Sequence, residues 1–163
     1  MKPTIIFDVD GTLADLTHRL HHILEPDGSE RPKDKKNWPA FHAAAKDDLP
    51  INEIIILAQA IESDRLNPGT PGDFAIVLAS GRTAETRKAT EDWLAKHKVP
   101  YDHLFMRRAG DHRDDHIVKK EYVGTMREMG YRPILAFEDR QRVVDMYRAE
   151  NITTVVVGER NNF

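Results

Sequence analysis

Two aspartates one residue apart stand near the start of the chain, in Ile5-Ile6-Phe7-Asp8-Val9-Asp10-Gly11-Thr12-Leu13. If the apolar run is a strand, its period of two turns both carboxylates to one side and Val9 to the other. Two like charges at a buried strand end are costly unless a cation or protons compensate them. Hard oxygen donors of this kind suit Mg²⁺, which keeps several waters and shares the phosphate oxygens of a substrate. Gly11 permits a tight turn, and Thr12 offers an amide and a hydroxyl to an anion. The plainer alternative is a strand end with two solvated aspartates. The apolar lead-in, at the head of an α/β pattern, weighs against it.

The elements that must position this pair can be read along the chain. Five short runs rich in β-branched and other apolar residues read as strands: Thr4–Phe7, Ala75–Ala79, His103–Met106, Ile134–Phe137 and Thr153–Val157. They show little alternation, as strands buried on both faces do. Helical patterns separate them at Ala84–His97, Asp115–Met129 and Gln141–Glu150. That order predicts a doubly wound parallel α/β sheet in a single domain over residues 1–163. The stretch from Ala14 to Gly72 is far longer than one crossover requires. It reads as a helical cap, with helices near Leu16–Leu24, Pro39–Lys46 and Ile51–Asp64 and a breaker at Asn67–Gly72. An insertion after the first strand's carboxyl end lies over the crevice where open α/β sheets bind ligands.

Composition narrows the class. The chain has 163 residues, with Lys+Arg 24 against Asp+Glu 27, a formal net charge of −3 and no cysteine. No global basic field draws it to nucleic acid, and thiolate zinc sites, disulfides and cysteine nucleophiles are excluded. Acidic residues dominate 1–81, and basic ones outnumber them across 82–142. No apolar run approaches a membrane span, and the N-terminus does not read as a signal peptide, so a cytoplasmic protein is expected. No Gly-x-x-x-x-Gly-Lys-Ser/Thr is present, so no kinase module is expected within the chain. His18, His21, His22, His112 and His116 lack zinc-site spacing and read as polar cap and loop residues. Trp93 reads as core, and Trp38 as core more readily than as a surface for base stacking.

The Asp8–Thr12 motif resembles the first motif of the haloacid dehalogenase (HAD) superfamily, a strand followed by Asp-x-Asp-Gly-Thr. The remaining motifs follow in order: Ile76–Arg82 for a strand ending in Ser, Lys119 on a later helix, and Glu138-Asp139 after the fourth strand. Within the superfamily the chain is similar to the 3′-phosphatase domain of phage polynucleotide kinase/phosphatases. That likeness rests on Arg19, Ser80-Gly81-Arg82, Gly110-Asp111-His112-Arg113-Asp114-Asp115-His116-Ile117-Val118-Lys119, and the run Glu138–Arg148. The cap segment matches less obviously. Motif four carries Glu138 where the family usually has a first Asp.

The resemblance implies a HAD-like Rossmannoid fold and aspartyl-phosphate chemistry. Asp8 would be the nucleophile and Asp10 the general acid and base. Ser80 and Lys119 would hold phosphate oxygens. Mg²⁺ would be held by Asp8, the Asp10 carbonyl and Asp139, with Glu138 salt-bridged or on a metal-bound water. Thr12, Arg19, Gly81, Arg82 and Arg113 would line the substrate site, and Asp115 would orient one of those arginines or Lys119. Lys120 should face solvent. The implied activity is removal of a 3′-phosphate from a DNA or RNA end, with 2′,3′-cyclic phosphates also open. A phosphatase of free nucleotides or other small esters is the rival, and a phosphate-binding regulator without turnover is a second.

Overall fold

Strand β1 (Lys2–Phe7) runs up the middle of a five-stranded sheet. The computed structural model describes residues 1–67 and 73–158, apart from the side chain of Lys33. After β1 come the short β2 (Ala14–Asp15), α1 (Trp38–Ala43), the short β3 (Leu49–Pro50) and α2 (Asn52–Arg65). Then follow β4 (Ala75–Thr83), α3 (Arg87–Lys96), β5 (His103–Arg107), α4 (Asp115–Glu128), β6 (Tyr131–Glu138), α5 (Gln141–Ala149) and β7 (Thr153–Val156). The large sheet is parallel throughout, in the order β5-β4-β1-β6-β7. The chain winds outward from β1 through β4 to β5, then returns to β6 on the other side of β1. The switch point therefore falls at the carboxyl end of β1, where such sheets open a crevice.

The strand periodicity divides the core in two. Ile5, Phe7, Ile76 and Leu78 face one side with Ile55 and Ala58 of α2 and Trp93 and Leu94 of α3. Ile6, Val77, Ala79 and Ala136 face the other with Val123 and Met126 of α4 and Val143, Met146 and Tyr147 of α5. Neighbours in sequence thus serve opposite layers, which is why these strands read as continuous apolar runs. The doubly wound α/β expectation holds, with all five strands in their expected places.

The stretch after β1 divides differently from the expectation. Helix α2 lies in the core as the β1–β4 crossover, so the part standing over the carboxyl edge ends near Ile51. Its two ends are clasped together by β2 and β3, which pair antiparallel, Ala14 with Pro50 and Asp15 with Leu49. The helix expected at 16–24 is a 3₁₀ run, Thr17–His22. Its bonds close three residues back, Arg19 N to Leu16 O at 3.0 Å and Ile23 N to Leu20 O at 2.9 Å. Asp15 Oδ1 accepts the Thr17 amide at 2.8 Å at its start, but Arg19 is drawn fully inward, and the run stays a short 3₁₀ segment. Of the expected breaker, Pro68 to Gly72 lie outside the described residues. No helix among the described residues is long and apolar enough to cross a membrane.

Candidate active site

The ends of β1, β4 and β6 bring Asp8, Ser80 and the pair Glu138-Asp139 to one rim, and the second turn of α4 adds Lys119 from below. All five are buried. Lys119 Nζ donates to Asp8 Oδ1 at 2.6 Å and to Glu138 Oε2 at 2.8 Å. Burial would discharge this ammonium, but Asp8 and Glu138 outweigh it and keep Lys119 protonated far into the alkaline range. Two of its three N–H groups are committed, which leaves one for another acceptor. Asp8 is pushed up to about 8, first by burial and then by the charge of Glu138.

The donor set fits a hard divalent cation. Carboxylate oxygens of Asp8, Glu138 and Asp139 lie within 4.8 Å of one another. Burial, then the neighbouring Asp8, raises Asp139 to about 6; burial, then Asp139 in spite of Lys119, raises Glu138 to about 7. A cation would relieve that repulsion. The two motif-four carboxylates differ in what they have left to offer. Glu138 accepts Lys119 on one oxygen and the Arg140 amide on the other at 3.2 Å, whereas Asp139 Oδ1 is buried with no partner. Gly11, at φ +88°, lets the loop pass directly over Asp139; a Cβ there would collide with its carboxylate. The Thr12 hydroxyl is likewise buried and unpartnered, while its amide points to Val9 O at 3.4 Å.

Asp10 is held differently. Its Oδ1 accepts Arg19 Nη2 at 2.6 Å, Arg82 Nη2 at 2.6 Å and Arg82 Nε at 3.0 Å. Burial would raise this group, but Arg82 and then Arg19 hold it well below the usual carboxylate range. Both guanidiniums are buried and both also reach Asp48, a fully enclosed carboxylate just before β3. The guanidinium carbon of Arg19 sits over Phe41, 4.1 Å from its ring centre. A third ion-pair group sits beside these. Asp115 accepts Arg107 Nη2 at 2.6 Å and Arg140 Nη1 at 3.0 Å, and its carboxylate packs where any Cβ on residue 81 would stand.

The profile of the polynucleotide kinase PNKP phosphatase domain matches residues 40–163. The chain belongs to that family. Among solved structures, it is similar to one described as a Pnkp1/Rnl/Hen1 complex, at 27% identity and a TM-score of 0.75, covering 99% of this chain and 47% of that one. A second, described as the Pnkp1/Rnl/Hen1 RNA repair complex, gives 26%, 0.72, 99% and 44%. The chain spans about half the length of these relatives, 47% and 44%. A haloacid dehalogenase-like hydrolase from Streptococcus pneumoniae shares the fold at 12% identity and a TM-score of 0.63, with 99% and 87% covered. A comparison with curated proteins finds no match. The HAD-type phosphatase kinship expected from the motifs is thus established.

Set in the PNKP phosphatase family, the motif residues fall into two groups. Asp8, Asp10, Thr12, Arg19, Ser80, Gly81, Arg82, Lys119 and Asp139 converge on the rim of β1, β4 and β6. Arg113 does not. It is half exposed and tied to Asp111 and Glu121, so the long Gly110–Lys119 motif turns it away from the site. Asp115 orients none of Arg19, Arg82 and Arg113; its direct partners are Arg107 and Arg140, because α4 presents its first turn to the ends of β5 and β6, and it acts on Lys119 only through its charge. Arg19 and Arg82 bracket Asp10 and Asp48 through Nε and Nη2 and spend Nη1 on Phe41 O and the Thr90 hydroxyl, so in this arrangement they are clamps rather than open phosphate hooks. Trp38 is 43% exposed, against the expectation of a core place, while Trp93 is buried and donates from Nε1 to Asp48 O at 2.8 Å. Lys120 faces solvent, paired with Glu150. Sequence reasoning missed Asp48. No motif marks it, and the only signal was that two arginines at a closed rim need a second counter-charge.

Proposed function

We propose that the chain is a Mg²⁺-dependent polynucleotide 3′-phosphatase working through an aspartyl-phosphate on Asp8. The observation that carries the reading is the enclosed carboxylate Asp8, pinned by Lys119 and flanked two residues on by an arginine-clamped Asp10. An oxygen of Asp8 attacks phosphorus as the bond to the 3′-oxygen breaks, and Asp10, ionised between its arginines in the free protein, takes up a proton once a bound phosphate offsets those charges and delivers it to that oxygen. Water then attacks the phosphoenzyme, Asp10 takes its proton, and inorganic phosphate leaves as Asp8 is restored. The spare N–H of Lys119 and the Ser80 hydroxyl, whose oxygen already accepts the Arg82 amide at 3.1 Å, are placed to hold phosphate oxygens. Mg²⁺ on Asp8, Asp139 and the Asp10 carbonyl would offset repulsion between anionic nucleophile and anionic ester.

Family membership supports a polynucleotide substrate. So does the exposed Trp38, which lies edge-on to Phe41 at 5.6 Å and stacked on His42 at 5.8 Å, on the segment that carries Arg19 toward Asp10. An exposed aromatic ring on that segment can take a base. The deciding assay is phosphate release from a 3′-phosphorylated oligonucleotide, the matching 5′-phosphorylated one and a 3′-mononucleotide. The first should be strongly preferred, and Asp8→Asn should abolish its turnover, with beryllium fluoride binding to wild type and not to the variant. Equal turnover of oligonucleotide and mononucleotide would replace the polynucleotide reading with that of a small-ester phosphatase.

A further inference from the structure

Asp48 belongs to none of the motifs, yet it is as closed to solvent as Asp8. Its carboxylate takes four donors: Arg19 Nε at 2.7 Å and His18 Nε2 at 2.9 Å on Oδ1, and Arg19 Nη2 and Arg82 Nη2, both at 2.7 Å, on Oδ2. The same two guanidiniums donate to Asp10, so two carboxylates and two arginines close a buried ring of zero net charge. Three features hold the ring in place. The β2–β3 clasp sets Arg19 and Asp48 side by side. The indole of Trp93 grips the Asp48 carbonyl. Arg82 Nη1 also reaches the Thr90 hydroxyl on α3 at 3.4 Å.

A guanidinium donates only in its own plane. By taking the Nε–Nη2 edge of Arg19 and the Nη2 of Arg82, Asp48 fixes both planes and so fixes where their remaining donors point. Arg19 Nη2 and Arg82 Nε and Nη2 land on Oδ1 of Asp10, while the two Nη1 groups go to Phe41 O and the Thr90 hydroxyl. The carboxylate is thereby held by one oxygen, and neither Arg19 nor Arg82 donates to Oδ2.

We propose that Asp48 is a positioning residue for proton transfer: through Arg19 and Arg82 it locks Asp10 by Oδ1 and presents Oδ2 as the atom that exchanges a proton with the leaving 3′-oxygen. Asp10 takes a proton from solvent onto Oδ2 as the anionic substrate binds; that proton passes to the oxygen released from phosphorus, and in the second step Oδ2 takes one from the attacking water, which restores the acid for the next turnover. The proposal rests on the acid–base reading of Asp10, and its test separates the two.

Asp48→Asn and Asp10→Asn are compared singly and together on a 3′-phosphorylated oligonucleotide, whose alkoxide needs a proton, and on p-nitrophenyl phosphate, whose anion does not. The first turnover is followed, before phosphoenzyme hydrolysis can limit the rate. Asp48→Asn should slow the oligonucleotide by about a hundredfold, in the range of a lost acid, and the aryl ester by less than about tenfold, with little change in KM. Added to Asp10→Asn it should cost almost nothing more, since both act through one group. Equal losses on the two esters, or losses that multiply in the double variant, would overturn the proposal and leave Asp48 as a structural counter-ion. A rise in KM alone would overturn it too, assigning the arginines to substrate phosphate. If Asp10→Asn itself ignores the leaving group, the acid–base reading fails instead. Should Asp48→Asn melt before assay, Arg19→Lys keeps the charge but cannot span both carboxylates, and the same selectivity for the oligonucleotide is expected.

Discussion

Asp8, Glu138 and Asp139 share one enclosed corner with a single ammonium, and their ionisation costs the fold free energy. Burial leads in raising all three, to about 8, 7 and 6, above the 3.8 to 4.5 of unperturbed carboxyls. The sign follows from the linkage between proton uptake and folding. With folded values above unfolded ones, the stabilisation is complete below about pH 4 and is lost progressively as pH rises from there to about 8. The melting temperature of the EDTA-treated protein should therefore fall between pH 5.5 and 8.5. Mg²⁺ should raise it more at the upper end, where the ligands are already ionised. Asp139→Ala should remove most of that Mg²⁺ shift and Glu138→Ala less, because only Asp139 has a buried oxygen to spare. Calorimetry showing equal Mg²⁺ shifts in the two variants would exchange their roles.

Arg107, at the end of β5, ties three elements together. It donates to Gly81 O of β4 at 3.1 Å, to Arg113 O at 2.6 Å and to Asp115 of α4 at 2.6 Å. Removing it leaves a buried carboxylate with half its partners, so Arg107→Ala should cost about 2 kcal/mol in urea unfolding, the range for a charged hydrogen bond. Arg113→Ala, at a solvated ion pair, should leave the unfolding midpoint where it is. A larger loss from Arg113 would mean that the loop, not the strand end, holds this corner together. These two arginines also mark where sequence reading ran out. Strands were legible because Ile5/Phe7 and Ile6 load opposite layers, and Asp8, Ser80, Lys119 and Asp139 because chemistry fixes them at strand ends and one helix turn. Orientation within a motif was not: Arg113 sits in the most distinctive run and points outward, while Arg107 and Asp48, outside every motif, point inward. Which way a long side chain turns is set by cross-element pairing, as with Arg107 on Asp115, and local pattern does not encode it.

At the scale of the whole molecule the charge is −3, and many of the cations near the site are already paired within the protein. A substrate of many phosphates therefore meets no broad basic field, and affinity for a strand must come from a few local contacts. Each single-strand phosphate engaged by a cation contributes about −0.7 to the log–log dependence on salt. For a 3′-phosphorylated oligonucleotide at fixed Mg²⁺, the slope of log kcat/KM against log salt should thus lie between about −0.7 and −1.5, equivalent to one or two flanking phosphates. Arg108, exposed beside the Asp111–Arg113 turn, is the cation whose loss should flatten it. Trp38→Ala should behave in the opposite manner. Base stacking releases no counterions, so kcat/KM should drop by roughly tenfold, within the 1–3 kcal/mol of a stacked base, while the slope stays put. A slope steeper than about −3 would mean an extended phosphate track that the paired arginines cannot supply. A slope near zero together with an unaffected Trp38→Ala would mean that only the terminal phosphate is gripped, and small phosphate esters would then be turned over as readily as strands.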